Sequence, residues 1–108
     1  MQPRNTAYLT EGGIIYGLGS ALREHIDIKD GHVQQSNFTD YEVMRMEDVP
    51  NVSVHVIAND YPPTGVGEDG VPLAAASVGN AFFALTGVRM REIPFSPANI
   101  RQAIGGKA

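Results

Sequence analysis

Apolar residues recur along the chain with two different periods. Ile14, Ile15, Leu18, Ala21 and Leu22 follow helical spacing behind Thr10, a plausible N-cap, and predict a first helix. Gly12, Gly13, Gly17 and Gly19 lie in it or just before it, and each costs up to about 1 kcal/mol relative to Ala. Close packing rewards such residues: Gly13 and Gly17, four apart on one face, admit a second backbone or a flat ligand. After Arg23 the period becomes two. His25-Ile26-Asp27-Ile28 and His32-Val33-Gln34-Gln35 alternate on either side of Asp30-Gly31, which is hairpin chemistry. Residues 36–50 are mixed, with Phe38, Tyr41, Val43, Met44 and Met46 as intermittent anchors, and predict a loop with one short strand. Val52-Ser53-Val54-His55-Val56-Ile57 alternates with β-branched residues dominant, the clearest strand signal in the chain.

Residues 59–70 hold too many breakers for regular structure and predict a loop. Pro72 then opens a helix over 73–86, and Gly87 supplies its left-handed stop. This helix is apolar almost all round, which predicts that most of it is buried. A chain of 108 residues has limited means to bury it on every side. Residues 89–95 read as a closing strand, and Ser96-Pro97 caps a last helix over 98–104. The class expected is α+β: a small mixed sheet of short strands, with a 25–35 hairpin, packed on an N-terminal helix and a buried apolar helix 73–86.

Length fits a single domain over 1–108. Eight Lys and Arg against twelve Asp and Glu give a net charge of −4, which argues against nucleic-acid and membrane partners, since both need clustered basic residues. Zero cysteines exclude a disulfide framework, a thiol nucleophile and any iron-sulfur cluster held by this chain. The N-terminus has no basic cluster followed by an apolar run, so a cytoplasmic location is expected, or a periplasmic one if a longer parent is exported. The uncharged run 71–88 is interrupted by Pro72, Ser77, Gly79, Asn80 and Thr86, and reads as a soluble helix.

Gly65-Val66-Gly67-Glu68-Asp69-Gly70 matches G-x-G-x-x-G ahead of a helix. A dinucleotide site is rejected, because the preceding strand ends near Ile57 and two carboxylates sit where pyrophosphate would lie. The glycines still bring backbone N–H groups close to something and hold one acidic side chain, Glu68, at the positive end of the next helix. A loop glutamate is either simply solvated or a general base, and the residues alone leave both open. A small aromatic-binding pocket beside this loop has only the loop's shape behind it. His25, His32 and His55 fall on expected strands, with His25 and His32 on opposite sides of the hairpin turn, and lack a convergent third ligand, so no metal ligands are assigned.

Several segments together resemble one family. They are Glu11-Gly12-Gly13-Ile14-Ile15-Tyr16-Gly17-Leu18, Gln35-Ser36-Asn37-Phe38-Thr39-Asp40-Tyr41, Met44-Arg45-Met46, Val54-His55-Val56-Ile57, the run from Gly65 to Pro72, Asn80-Ala81-Phe82-Phe83-Ala84-Leu85-Thr86-Gly87 and Arg91-Glu92-Ile93-Pro94-Phe95. In order and spacing they resemble the C-terminal part of the molybdenum hydroxylase large subunit, in the xanthine dehydrogenase and aldehyde oxidase family. The likeness extends to its isoquinoline 1-oxidoreductase and aldehyde dehydrogenase type branch. The resemblance implies a molybdopterin cofactor shared with segments this chain does not contain, approached by Gly65, Val66 and Gly67 of the loop and by Gly12 and Gly13. It implies that Glu68 is the general base, taking up a proton as oxygen from water is transferred to an electron-poor carbon of an aldehyde or N-heterocycle. It also implies two partners, the remainder of the large subunit and a [2Fe-2S] subunit, without which the chain is inactive. Leu9 departs from the pattern: family members commonly carry there a glutamine that touches the pterin. Leu9 and the missing segments fit the alternative, a stand-alone binding or assembly module derived from that domain, which could form a homo-oligomer.

Overall fold

The computed structural model describes residues 2–106. Helix α1 spans Pro3–Leu22 and starts well before Thr10. Gln2 is its N-cap, with the side-chain oxygen accepting from the Asn5 N–H at 2.8 Å, and Pro3 occupies a position that needs no donor. Thr10 lies inside the helix instead, its hydroxyl donating to the Thr6 carbonyl at 2.9 Å, the intrahelical bond open to a threonine.

The expected hairpin forms in a shortened version. Strand β1 (Ile28–Lys29) pairs antiparallel with β2 (His32–Val33), placing Ile28 opposite Val33 and Lys29 opposite His32. The turn residues Asp30 and Gly31 have φ of 50° and 77°, the signs a tight two-residue turn requires. In this register His25 does not face His32; it pairs with Asp27 at 2.9 Å. The loop that follows carries one short 3-10 turn, Met46–Asp48, and no strand. Phe38 and Met46, expected as anchors, are largely exposed instead. Polar contacts to the end of α1 hold the loop: the Arg23 guanidinium bonds Glu42 and Asp48, and the Tyr41 hydroxyl donates to Glu24 at 2.8 Å. That bond to the Glu24 carboxylate, with some desolvation, pushes the Tyr41 phenol above its ordinary pKa.

The clearest expected strand is not formed. Among the described residues no backbone–backbone hydrogen bond involves residues 51–58: β1 and β2 make up the only sheet there, and neither lies alongside. Residues 89–95 form no strand either. Pro94 has no N–H to give, and the Phe95 N–H donates to the Ala21 carbonyl at 2.7 Å, tying this segment to the end of α1.

Helix α2 runs Val71–Thr86 with Pro72 in its first turn and stops at Gly87, whose φ is 66°. Helix α3 runs Pro97–Gly105, capped by Ser96, whose hydroxyl accepts from the Asn99 N–H at 3.2 Å. Helices α1 and α2 meet at Gly17, where a Cβ would fall 2.6 Å from the Val71 carbonyl oxygen and 2.8 Å from the Ala74 Cβ. The Phe95 ring lies on Gly79 of α2. With Ala21, Ala74 and Val88 it forms a small core. The α+β class holds, but the sheet is only a two-strand ribbon and α2 is not enclosed: Leu73 and Leu85 are 63% and 87% exposed. Helix α1 covers one side of it, and the segment after Gly87 touches another, with Phe95 on Gly79 and the Arg89 guanidinium over the Phe83 ring. No helix is long and apolar enough to cross a membrane among the described residues.

Candidate functional site

The loop before α2 seats on the glycines of α1. Gly67 has φ of 140°, a backbone state that favours glycine strongly. Its carbonyl oxygen comes so close to α1 that a Cβ on Gly13 would lie 2.0 Å away. Gly70 is pressed on the same helix, and a Cβ there would fall 2.8 Å from the Ile14 Cγ1 and 3.0 Å from the Ile14 nitrogen. Between them Glu68–Gly70 forms a 3-10 turn that runs directly into α2. Gly13 and Gly17 are therefore packing glycines, of the two roles their spacing allows, and the packing they permit fixes where Glu68 stands.

Glu68 opens onto a groove of about 750 Å³ between α1 and the start of α2. Leu9, Gly12 and Gly13 form its α1 wall together with Tyr8 and Tyr16, and Gly67, Val71 and Pro72 complete it beside Glu68. The Glu68 side chain forms no hydrogen bond or ion pair among the described residues. Gly12 differs from Gly13: a Cβ there would meet nothing within 4 Å. Its small size serves no contact among the described residues and leaves bare helix backbone facing the groove.

The structure thus gathers Glu68, Gly67, Gly12 and Gly13 in one place. Gly65 and Val66 lie outside it. Gly65 is exposed with open space around it, and Val66 lines a separate groove with Pro3 and Thr6. Sequence reasoning missed Tyr8, Tyr16, Val71 and Pro72. The signal for the tyrosines was present, because Tyr8, Gly12 and Tyr16 are spaced by four and share a helix face. No three His, Cys, Asp or Glu side chains converge among the described residues.

Residues 3–50 match a molybdopterin cofactor-binding domain. The chain is 39% identical over 97 residues to isoquinoline 1-oxidoreductase subunit beta of Brevundimonas diminuta, covering 90% of this chain and 12% of that protein. It is 34% identical over 96 residues to a putative xanthine dehydrogenase molybdenum-binding subunit, XdhA, of Escherichia coli (strain K12), covering 82% of this chain and 13% of that one. The crystal structure of quinoline 2-oxidoreductase from Pseudomonas putida 86 superposes with a TM-score of 0.76 at 26% identity, over 91% of this chain and 14% of its own. The chain belongs to the molybdenum hydroxylase family, in the part that contains its molybdopterin cofactor-binding domain. It spans only about an eighth of the length of these relatives.

Proposed function

We propose that this chain is the part of a molybdenum hydroxylase large subunit that carries the general base, Glu68, and one wall of the molybdopterin site. The observation behind this reading is the convergence of Glu68 with Gly12, Gly13 and Gly67 on a single groove. The residues present suit the cofactor. Bare backbone at Gly12 lets a flat ring system lie on the helix, and the half-open groove leaves a side for segments from the rest of the subunit. Bound molybdopterin supplies a metal centre that takes two electrons from the substrate. Glu68 accepts the proton released as water-derived oxygen is transferred to an aldehyde or N-heterocycle carbon, and its unpaired side chain leaves it free to do so. Tyr8, Leu9 and Tyr16 flank it with apolar surface that keeps water from the groove once a second wall is in place. The remainder of the large subunit supplies that wall, and a [2Fe-2S] subunit takes the electrons onward.

The test is Glu68→Gln in the assembled enzyme, which keeps size and removes the base. Turnover is expected to fall by roughly 10²–10⁴-fold with molybdenum content unchanged. Turnover that survives the substitution would remove Glu68 from the chemistry.

A further inference from the structure

The strongest strand signal in the sequence belongs to a segment with nothing to pair with. Residues 51–59, Asn51-Val52-Ser53-Val54-His55-Val56-Ile57-Ala58-Asn59, hold no Asp, Glu, Lys or Arg. They are bounded by Pro50 on one side and by Pro62 and Pro63 on the other. Val52 and Val54 are half-buried while Ser53 and His55 are exposed, the alternation of a one-sided strand over 52–55 without a sheet, and Val56 and Ile57 beyond it are exposed. Among the described residues, no backbone–backbone bond reaches residues 51–58. Proteins protect free edges with charges, prolines inside the strand or bulges, because unpaired N–H and C=O groups template pairing with another chain. This segment has none of those protections. Beside it lies an apolar groove of about 600 Å³ whose walls include Val56, Ile57, Tyr61, Val66 and Pro3, room for side chains arriving with a neighbouring strand.

We propose that residues 52–57 are a strand completed by another: they accept, by β-addition, a strand from the remainder of the large-subunit polypeptide. The inference rests on the function proposed above. That occupant is favoured over a second copy of this chain for two reasons. The relatives carry some seven-eighths of their length outside the matched region. The uncovered apolar side chains are also spread over α1 (Tyr16), the hairpin (Ile28), this segment (Ile57) and α2 (Leu85), more directions than one two-fold contact covers. Main-chain bonds would supply affinity, and alternate side chains would set the register.

The experiment is amide hydrogen exchange on residues 52–57, in the chain alone and in the assembled hydroxylase, with Ser53→Pro and Val54→Pro as variants. Adjacent residues point their N–H groups to opposite strand edges, so the two prolines probe the two edges separately. Expected is exchange slowed roughly 100-fold or more on assembly, and association weakened at least about tenfold by one proline or both. The isolated variants should keep the helical content of the parent, since these amides bond nothing there. Assembly with unslowed exchange, or assembly indifferent to both prolines, overturns the strand and leaves the proposed function standing. Failure of the unaltered chain to join any larger polypeptide overturns both, as does protection arising in a homodimer of this chain alone.

Discussion

Gly12 and Gly13 are adjacent on α1 and have opposite surroundings. A methyl group on Gly13 would be driven into the Gly67 carbonyl, 2.0 Å away, whereas one on Gly12 would meet nothing within 4 Å. Helix propensity acts on both, but only Gly13 has a steric reason to forgo it. In the assembled protein Gly13→Ala is therefore expected to lose about 1–3 kcal/mol, because the loop carrying Glu68 must back away from the helix. Gly12→Ala is expected to gain up to about 1 kcal/mol, the ordinary return of replacing a helical glycine. Urea midpoints of the two variants test the pair. The same proteins test the site: if Gly12 is bare because a cofactor lies on it, the stabilised Gly12→Ala protein holds less molybdenum per chain. Unchanged molybdenum content would leave Gly12 without a role in binding. The glycine-rich run ahead of a helix start drew attention to Glu68 in the sequence, whereas Gly12 and Gly13 were singled out for a cofactor only through the family resemblance. What could not be read was which glycine serves packing and which faces open space, since that depends on where the loop lands on α1.

Among the elements, those set by local chemistry were legible and those needing a distant partner were not. The left-handed stop at Gly87, the Ser96 cap of α3 and the Asp30-Gly31 turn each depend on a few neighbouring residues, and each appears as expected. The start of α1 was misread because Gln2 and Pro3 cap it as well as Thr10 would, and the polar first turns carry no hydrophobic period. Strands 52–57 and 89–95 were expected from alternation, but a ladder needs a second strand, and alternation does not show whether one exists. The loop at 36–41 follows local rules again. The Asp40 carboxylate accepts from the Asn37 N–H at 2.8 Å, the Ser36 N–H at 3.0 Å and the Ser36 hydroxyl at 3.2 Å. The Ser36 N–H, then the Asn37 N–H, hold its pKa below the ordinary carboxylate value. A folded-state pKa lowered in this way stabilises the loop at and above the ordinary carboxylate range, and the stabilisation is lost as pH falls through the lowered value. The Ser36 and Asn37 amide shifts should move together in acid with a midpoint below that of a free aspartate, and Asp40→Asn should abolish the transition. A midpoint at or above the free value would show that these bonds do not hold the turn.

The molecule taken whole exposes more surface than a compact chain of its mass. A folded monomer of 11.6 kDa is expected to expose about 5,800 Å², and this one exposes 8410 Å². Its radius of gyration is 16.9 Å, against about 13 Å for a compact domain of this length. The buried hydrophobic residues, Ala21, Ala74, Val88 and Phe95, are few and mostly small, while Leu73, Leu85 and Ile57 stand in water. An excess of some 2,600 Å² on one side of a contact matches the larger obligate interfaces, which bury on the order of 2,000–5,000 Å² summed over both partners. It follows that the isolated chain should keep its helices, bind a hydrophobic dye such as ANS and melt over a broad range, whereas the assembled protein should lose the dye signal and unfold cooperatively. Far-UV dichroism through a thermal ramp, with dye fluorescence on the same samples, reads both properties. A sharp, cooperative transition of the chain alone, as a monomer without dye binding, would mean that this surface is stable in water. The stand-alone binding module would then be the better account, and Glu68 would sit in a groove that needs no second wall.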